Sequence, residues 1–294
     1  MDGRSGSRSR LTLWMMVALG GYLIFAGSVR SLREELSLFE LVALRALGGL
    51  LFCMLVVSQK PALISDLRSI NLPVHALRSL LHALGTLAIV GSILMVPLGI
   101  VSALEFTGPI FAAGFVLLFY RLGPSWFSAL GLAAIAAGAF ALLSRHFEHL
   151  GPAVLLPLLG TVILTGTNMM LARLAARHRT TTILLVMSAI QLPLYAICIP
   201  LFGTGSASHE IGLWQAFAIL GVIASGIITQ TALANASRHG TDVQLSALDT
   251  LRIPAVAIMA YLVFSEMLDA TTLVLMGVIM CGAAIVAFGR RSAS

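Results

Sequence analysis

Apolar blocks of roughly 20 residues recur along the whole sequence and are separated by short polar breaks. A block of this length, wound as an α-helix, can cross the hydrocarbon core of a bilayer. A membrane barrel would instead show shorter segments in which apolar and polar residues alternate. Because a helix satisfies its own backbone hydrogen bonds in lipid, the pattern predicts an all-α integral membrane protein.

The low content of charged residues supports this class. Charged residues make up 10% of the chain and hydrophobic residues 59%, whereas about a quarter of a soluble domain is charged. A chain with so few charges cannot cover a water-facing surface. We predict ten transmembrane spans, close to 11–30, 38–57, 75–95, 98–119, 125–143, 151–172, 182–202, 212–235, 243–264 and 270–288.

The positive charges favour one side of the predicted bundle. Most of the 18 Lys and Arg residues fall in the segments on the side of the N-terminus. The other side holds only Arg30, Arg33 and Arg145, while Arg45 and Arg252 lie within spans. Because cytoplasmic loops are rich in Lys and Arg, both termini are expected in the cytoplasm, with the protein in the cell (inner or plasma) membrane. The same bias explains the net charge of +6 without a nucleic-acid partner.

One short stretch occurs twice within the apolar blocks. Residues 102–105 read Ser-Ala-Leu-Glu and precede Pro109, and residues 246–249 read Ser-Ala-Leu-Asp and precede Pro254. Aligning the prolines requires a gap of one residue. The two stretches fall in spans four and nine, which correspond if the chain consists of two halves of five spans.

Two halves of five spans enter the membrane from opposite sides. We therefore predict two inverted repeats, residues 1–144 and 145–294, an arrangement common in secondary transporters. Pro97, Pro109 and Pro254 are expected to break or bend helices near the centre of the membrane.

Glu105 and Asp249 are the leading candidate site residues, because a carboxylate inside a membrane span is costly and usually functional. They are expected to bind a substrate ammonium group or a proton. The alternative is local: Ser102 with Glu105, and Ser246 with Asp249, each fit a capping box at a helix start. The two roles are compatible.

Asp249 lies three residues before Arg252, so the two side chains share one face of a helix. It either neutralises Asp249 as an intramembrane ion pair or holds a substrate carboxylate while Glu105 holds the amine. Arg45 has a structural or snorkelling role as the leading interpretation.

Several uncharged polar residues also lie within spans. Most such groups join helices by hydrogen bonds, as expected for His82 and Gln191. Asn168 and Gln230 lie deepest in their spans, and Tyr22 is placed to line a cavity. The candidate substrate-binding residues are therefore Tyr22, Glu105, Asn168, Gln230, Asp249 and Arg252.

Several of these segments resemble one transporter family. Residues 40–47 resemble the span-two arginine pattern of the EamA family in the drug/metabolite transporter (DMT) superfamily. Residues 97–100 and 105–109 resemble its span four, especially in the branch that exports threonine and homoserine. Pro254 followed by Ser265-Glu266 is similar to the family's proline and glycine-glutamate pair, with serine in place of the glycine.

The resemblance implies a secondary transporter of small polar metabolites, most directly an amino-acid exporter that works by alternating access. Import of a vitamin or a nucleoside-like metabolite is the alternative within transport, and an intramembrane enzyme is the alternative outside it. We expect no enzymatic activity, cofactor or metal. The expected partners are a small-molecule substrate, the lipid bilayer and a second copy of the chain. The small-residue patches at 131–138 and 277–284 would form either the bundle core or a homodimer face.

Overall fold

The fold is described from a computed structural model that covers residues 2–60, 62–202, 212–239, 245, 248–249 and 251–289, with side chains except those of 2–8, 62, 64 and 287–289. These residues form helices and short turns, and no strand occurs among them. The prediction of an all-α protein is therefore confirmed.

Twelve α-helices lie in the described part of the chain. They are α1 Asp2–Ser31, α2 Leu38–Gln59, α3 Ala62–Arg68, α4 Leu72–Met95, α5 Leu98–Glu105, α6 Gly108–Tyr120, α7 Trp126–Leu150, α8 Leu156–Ala175, α9 Thr180–Phe202, α10 Leu213–His239, α11 Arg252–Phe264 and α12 Ala270–Gly289. A 3₁₀ turn, Gly151–Leu155, joins α7 to α8.

Seven helical segments within the described residues are long and apolar enough to cross a membrane. The longest, Trp126–Ala175, contains both α7 and α8. The apolar stretches Arg252–Phe264 and Ala270–Val286 are shorter. These segments indicate a multi-pass membrane protein, and the count of ten spans remains a prediction.

Two helical segments differ from the sequence expectation. The polar segment 145–149 was expected to separate the halves, but α7 continues to Leu150, so the boundary between residues 144 and 145 lies within a helix. The helix ends at Gly151, whose φ of 58° and ψ of −150° suit glycine alone. The predicted loop between spans two and three also contains a short helix, α3.

The core is built around α5. All eight residues of α5 are buried, whereas no residue of α6 is buried. The helices pack most extensively as the pairs α1–α10, α4–α8, α2–α9 and α7–α12, and α5 packs against α11. An apolar half-helix therefore lies inside the bundle and ends at an acidic residue, Glu105.

The two small-residue patches pack against each other. A Cβ atom added to Gly131 would lie 2.6 Å from the carbonyl oxygen of Gly282, and one added to Gly138 would lie 2.8 Å from the side chain of Ile279. The backbones of α7 and α12 can approach this closely only because glycine has no side chain. This contact favours the bundle alternative for the patches themselves.

Candidate functional site

The break between α5 and α6 places Glu105 at the end of a buried helix. Pro109 has no amide hydrogen, so it cannot donate to the carbonyl oxygen of Glu105 four residues earlier. The hydroxyl of Thr107 instead donates to the Leu104 carbonyl oxygen at 2.7 Å. A carboxylate buried at this break requires stabilisation from charged or hydrogen-bonding groups of other elements.

That stabilisation comes from α1 and α11. The hydroxyl of Tyr22 donates to Glu105 Oε2 at 2.5 Å, and Arg252 Nη1 lies 3.5 Å from the same oxygen. The Glu105 side chain is 5% exposed and that of Arg252 is 16% exposed. The two predicted halves of the chain therefore meet at this buried ion pair.

Arg252 contacts two carboxylates and two aromatic rings. Its Nη2 lies 3.4 Å from Asp249 Oδ2. Its guanidinium carbon lies 4.4 Å from the ring centroid of Tyr22 and 5.3 Å from that of Phe106, both at cation–π distance. Two carboxylates and one guanidinium leave this cluster with a formal charge of −1. Asp249 is the more accessible acid, with 40% of its side chain exposed.

Four of the six sequence candidates thus meet in one place: Tyr22, Glu105, Asp249 and Arg252. Asn168 is exposed on α8, and none of the hydrogen bonds described in this part of the chain involves it. Gln230 is buried elsewhere, beside His82.

The capping-box interpretation of Glu105 does not fit the helix. Ser102 lies in the interior of α5, four residues after the helix begins, and its buried hydroxyl has no hydrogen-bond partner in the described structure. Glu105 ends α5 instead of bracing its start. The proposed counterpart Ser246 lies outside the described residues.

A second buried polar cluster surrounds His82 on α4. Gln191 Nε2 donates to the Ser79 carbonyl oxygen and lies 3.1 Å from His82 Nδ1, and the Thr86 hydroxyl lies 3.3 Å from the same nitrogen. Because the Ser79 carbonyl fixes the orientation of the Gln191 amide, His82 Nδ1 must act as an acceptor. A neutral His82 therefore carries its proton on Nε2.

This proton location also determines how the Gln230 amide is oriented. Gln230 Nε2 lies 3.0 Å from His82 Nε2, which would place two donors against each other, while Gln230 Oε1 is buried without a partner. Rotating the amide by 180° resolves both problems, because Oε1 then accepts from His82. The Gln230 amide nitrogen is then left as a buried donor that no described group satisfies.

Beside this cluster is a small cavity between α2, α4, α9 and α10. Its lining includes Arg45, His82, Thr86, Ser188 and Gln191. The sequence predicted helix-joining hydrogen bonds for His82 and Gln191 and a structural or snorkelling role for Arg45. It gave no sign that these residues converge with Thr86 and Ser188, because they lie on helices far apart in the chain.

One end of the bundle is held by a partly buried ion pair between α1 and the turn before α12. Arg30 Nη2 lies 2.6 Å from Glu266 Oε1, and both side chains are 12% exposed. Glu266 Oε2 accepts from the amide of Leu98, the first residue of α5, at 2.8 Å. Arg30 also donates to the Ile93 carbonyl oxygen near the end of α4. One carboxylate therefore links α1, α5 and the α11–α12 turn.

The opposite end has its own polar contact. Asp66 on α3 lies 3.2 Å from His178 Nδ1 and accepts from the Arg179 amide at 3.0 Å. Burial raises the pKa of Asp66, but hydrogen bonds from the Arg179 amide and His178, with the charge of His178, outweigh it and hold the pKa below 3.8. This carboxylate ties α3 to the turn between α8 and α9.

Comparison with known proteins identifies the fold only. No family model matches the sequence, and no curated protein matches it. One solved crystal structure of a protein matches 95% of this chain and 97% of its own chain, with a TM-score of 0.65 and 19% sequence identity. At this identity the likeness extends to the arrangement of helices and not to function.

Proposed function

We propose that this protein is a secondary transporter of small polar metabolites, with an amino acid as the leading substrate and export as the leading direction. The observation that carries the proposal is the buried cluster of Tyr22, Glu105, Asp249 and Arg252, where a half-helix ends inside the bundle. Ionisable groups in a membrane bundle mark substrate or ion pathways more often than scaffold.

The repeat hypothesis gains support from helix positions. α11 begins and ends 144 residues after α6, at 252 against 108 and at 264 against 120. Both helices end at a residue in the left-handed conformation, Arg121 with φ 55° and Ser265 with φ 54°. The same offset relates Glu105 to Asp249, so no gap is needed. The prolines differ because Pro109 is the second residue of its helix and Pro254 the third.

The packing pattern supports the repeat hypothesis as well. In two inverted repeats, each of spans one to five corresponds to the span five places later, so α1 corresponds to α8, α2 to α9 and α4 to α10. If corresponding helices are exchanged, the pair α1–α10 becomes α8–α4, and the pair α2–α10 becomes α9–α4. Both members of each exchange are observed as packed pairs. The pairs α2–α9 and α7–α12 convert into themselves, and the α5–α11 contact joins the corresponding spans four and nine. Such a two-fold relation is expected of ten spans in two inverted repeats, and alternating access then follows from rocking of the repeats.

The sequence resemblance agrees with this proposal. We accordingly propose membership of the EamA family in the DMT superfamily, a location in the cell membrane, cytoplasmic termini and a homodimeric assembly. The substrate would bind between the halves, with its cationic group beside Glu105 and Asp249. The formal charge of −1 there favours a ligand that bears an ammonium group.

The test is uptake by purified protein in liposomes, with labelled amino acids, a nucleoside and riboflavin. Wild type is compared with Glu105→Gln, which keeps the shape and removes the charge, and with Glu148→Gln, an exposed control. We expect one class of compound to move and Glu148→Gln to behave as wild type. Glu105→Gln should lose transport while remaining folded, because Arg252 keeps its contact with Asp249. Normal transport by Glu105→Gln would remove the cluster from the mechanism, and movement of riboflavin or the nucleoside alone would replace the amino-acid assignment.

A further inference from the structure

Two arginines carry charge into the bundle without an acidic partner. The Arg45 guanidinium carbon lies 4.5 Å from the ring centroid of Phe25, and none of the ion pairs in the described structure includes Arg45. Arg78 is 1% exposed; its Nε donates to the Thr167 carbonyl oxygen, and its Nη2 has no partner among the described residues. Arg45 is partly exposed, whereas Arg78 is buried. Because a buried cation without an anion is unfavourable, a negatively charged ligand would stabilise this part of the protein.

One of these arginines lines the cavity between α2, α4, α9 and α10, and the other contacts a residue of its wall. Arg45 forms part of its wall. Arg78 lies behind Met187, another wall residue, with its Nη1 at 3.5 Å from the Met187 sulfur. The wall carries no acidic side chain among the described residues. The cavity is therefore positively charged.

Hydrogen-bond donors accompany this charge. The hydroxyl groups of Thr86 and Ser188 line the cavity. Guanidinium groups pair best with planar anions that have two oxygen acceptors. A carboxylate therefore matches the site in charge and geometry.

The cavity is close to the Glu105 cluster along α1. Phe25, which contacts Arg45, is three residues after Tyr22, which contacts Arg252. Residues three apart lie on the same face of a helix, about one turn from each other. Arg252 is already paired with Glu105 and Asp249, whereas Arg45 is available. The negatively charged Glu105 cluster and the positively charged Arg45 cavity therefore lie about one helical turn apart along the same face of α1.

From this arrangement we propose that the Arg45 cavity binds the carboxylate of the transported metabolite, while the Glu105–Asp249 cluster receives its cationic group. The inference rests on the proposed transport function and narrows the substrate to carboxylate-bearing metabolites. It assigns to Arg45 the role that sequence reasoning offered to Arg252.

A binding measurement tests the cavity without requiring transport. The unfolding temperature of purified full-length protein is followed while propionate, or the isosteric neutral propionamide, is titrated at constant ionic strength. We expect propionate to raise the unfolding temperature of wild type by about 3 °C more than propionamide when it is well above its Kd. The difference should vanish in Arg45→Gln and persist in Lys60→Gln, which alters an exposed cation.

A second variant displaces Arg45 without removing its charge. A Cβ atom at Gly226 would lie 2.8 Å from both Cγ and Nε of Arg45, so Gly226→Ala should also abolish the propionate effect. Gly20→Ala is the control, because nothing lies within 4 Å of its added Cβ. Equal responses to propionate and propionamide in wild type would overturn the proposal, as would a full propionate effect in both Arg45→Gln and Gly226→Ala. Failure of the uptake assay beside a normal propionate effect would count against transport and leave the carboxylate site in place.

Discussion

Arg30 and Glu266 join the first helix to the turn before the last one, with 2.6 Å between Nη2 and Oε1. The second oxygen of Glu266 holds the amide at the start of α5, the half-helix that ends at the candidate site. The contact therefore links one end of the bundle to the position of Glu105.

Removing this charge should destabilise the protein. Glu266→Gln keeps an acceptor for the Leu98 amide and leaves Arg30 buried without an anion, which should lower the free energy of unfolding by about 3 kcal/mol. Denaturant titration in detergent measures the loss. Arg33→Gln is the matched control, because its pair with Glu34 is exposed and should change stability by about 0.5 kcal/mol or less. Equal losses of unfolding free energy in the two variants would show that the buried ion pair contributes no more to stability than the exposed one.

The Tyr22 hydroxyl should matter for transport separately from its ring. Tyr22→Phe keeps the ring beneath Arg252 and removes the hydrogen bond to Glu105. Since a hydrogen bond to a charged group is worth about 1.5–3 kcal/mol, we expect the initial uptake rate to fall about tenfold or more. Tyr261→Phe, at an exposed position on α11, should transport as wild type. An unchanged rate in Tyr22→Phe would contradict the role of the hydroxyl.

The α7–α12 contact should not tolerate a methyl group. The added Cβ in Gly131→Ala would lie 2.6 Å from a backbone oxygen of α12, which cannot move without moving the helix. We expect a clearly lower unfolding temperature in detergent. Gly277→Ala on the same helix pair meets nothing within 4 Å and should be neutral or stabilising by about 0.5–1 kcal/mol, because alanine favours helices. Similar shifts in the two variants would show that the close contact does not form.

Asp66 should make stability depend on acid pH. Its pKa in the folded protein is lower than the ordinary 3.8, so its contribution is complete above that value and is lost as the pH falls through the lowered pKa. Asp66→Asn should therefore unfold at a lower temperature than wild type near neutral pH, with the gap closing below about pH 4. Glu148→Gln provides the comparison at an exposed carboxylate. A gap that is constant with pH would exclude ionisation of Asp66 as the cause.

The helices were predictable where apolar length and local capping agree. The predicted span 38–57 corresponds to α2, Leu38–Gln59, and the helix starts at a capping box in which Ser37 and Glu40 bond each other's backbone amides. The end of α7 was not predictable from hydropathy, because its polar last turns leave the apolar region while remaining helical.

The charged part of the site was predictable because charge in a membrane span is costly wherever it occurs. That criterion finds Glu105, Asp249 and Arg252 without knowledge of the fold. The charge criterion does not apply to uncharged residues, so it does not distinguish Asn168, which is exposed, from Gln230, which is buried beside His82. The His82 cluster joins residues more than a hundred positions apart, and no local pattern signals such pairing.

The link from Glu266 to Leu98 also bears on biosynthesis. The Leu98 amide is made 168 residues before its acceptor. At about 5–20 residues per second, the ribosome needs roughly 10–30 s to supply Glu266. During that interval Arg30 and the start of α5 are already in the chain and lack the carboxylate that joins them. The nascent protein can form this link only after Glu266 has been synthesised, so a premature stop before Glu266 should leave Arg30 and the Leu98 amide without their shared acceptor.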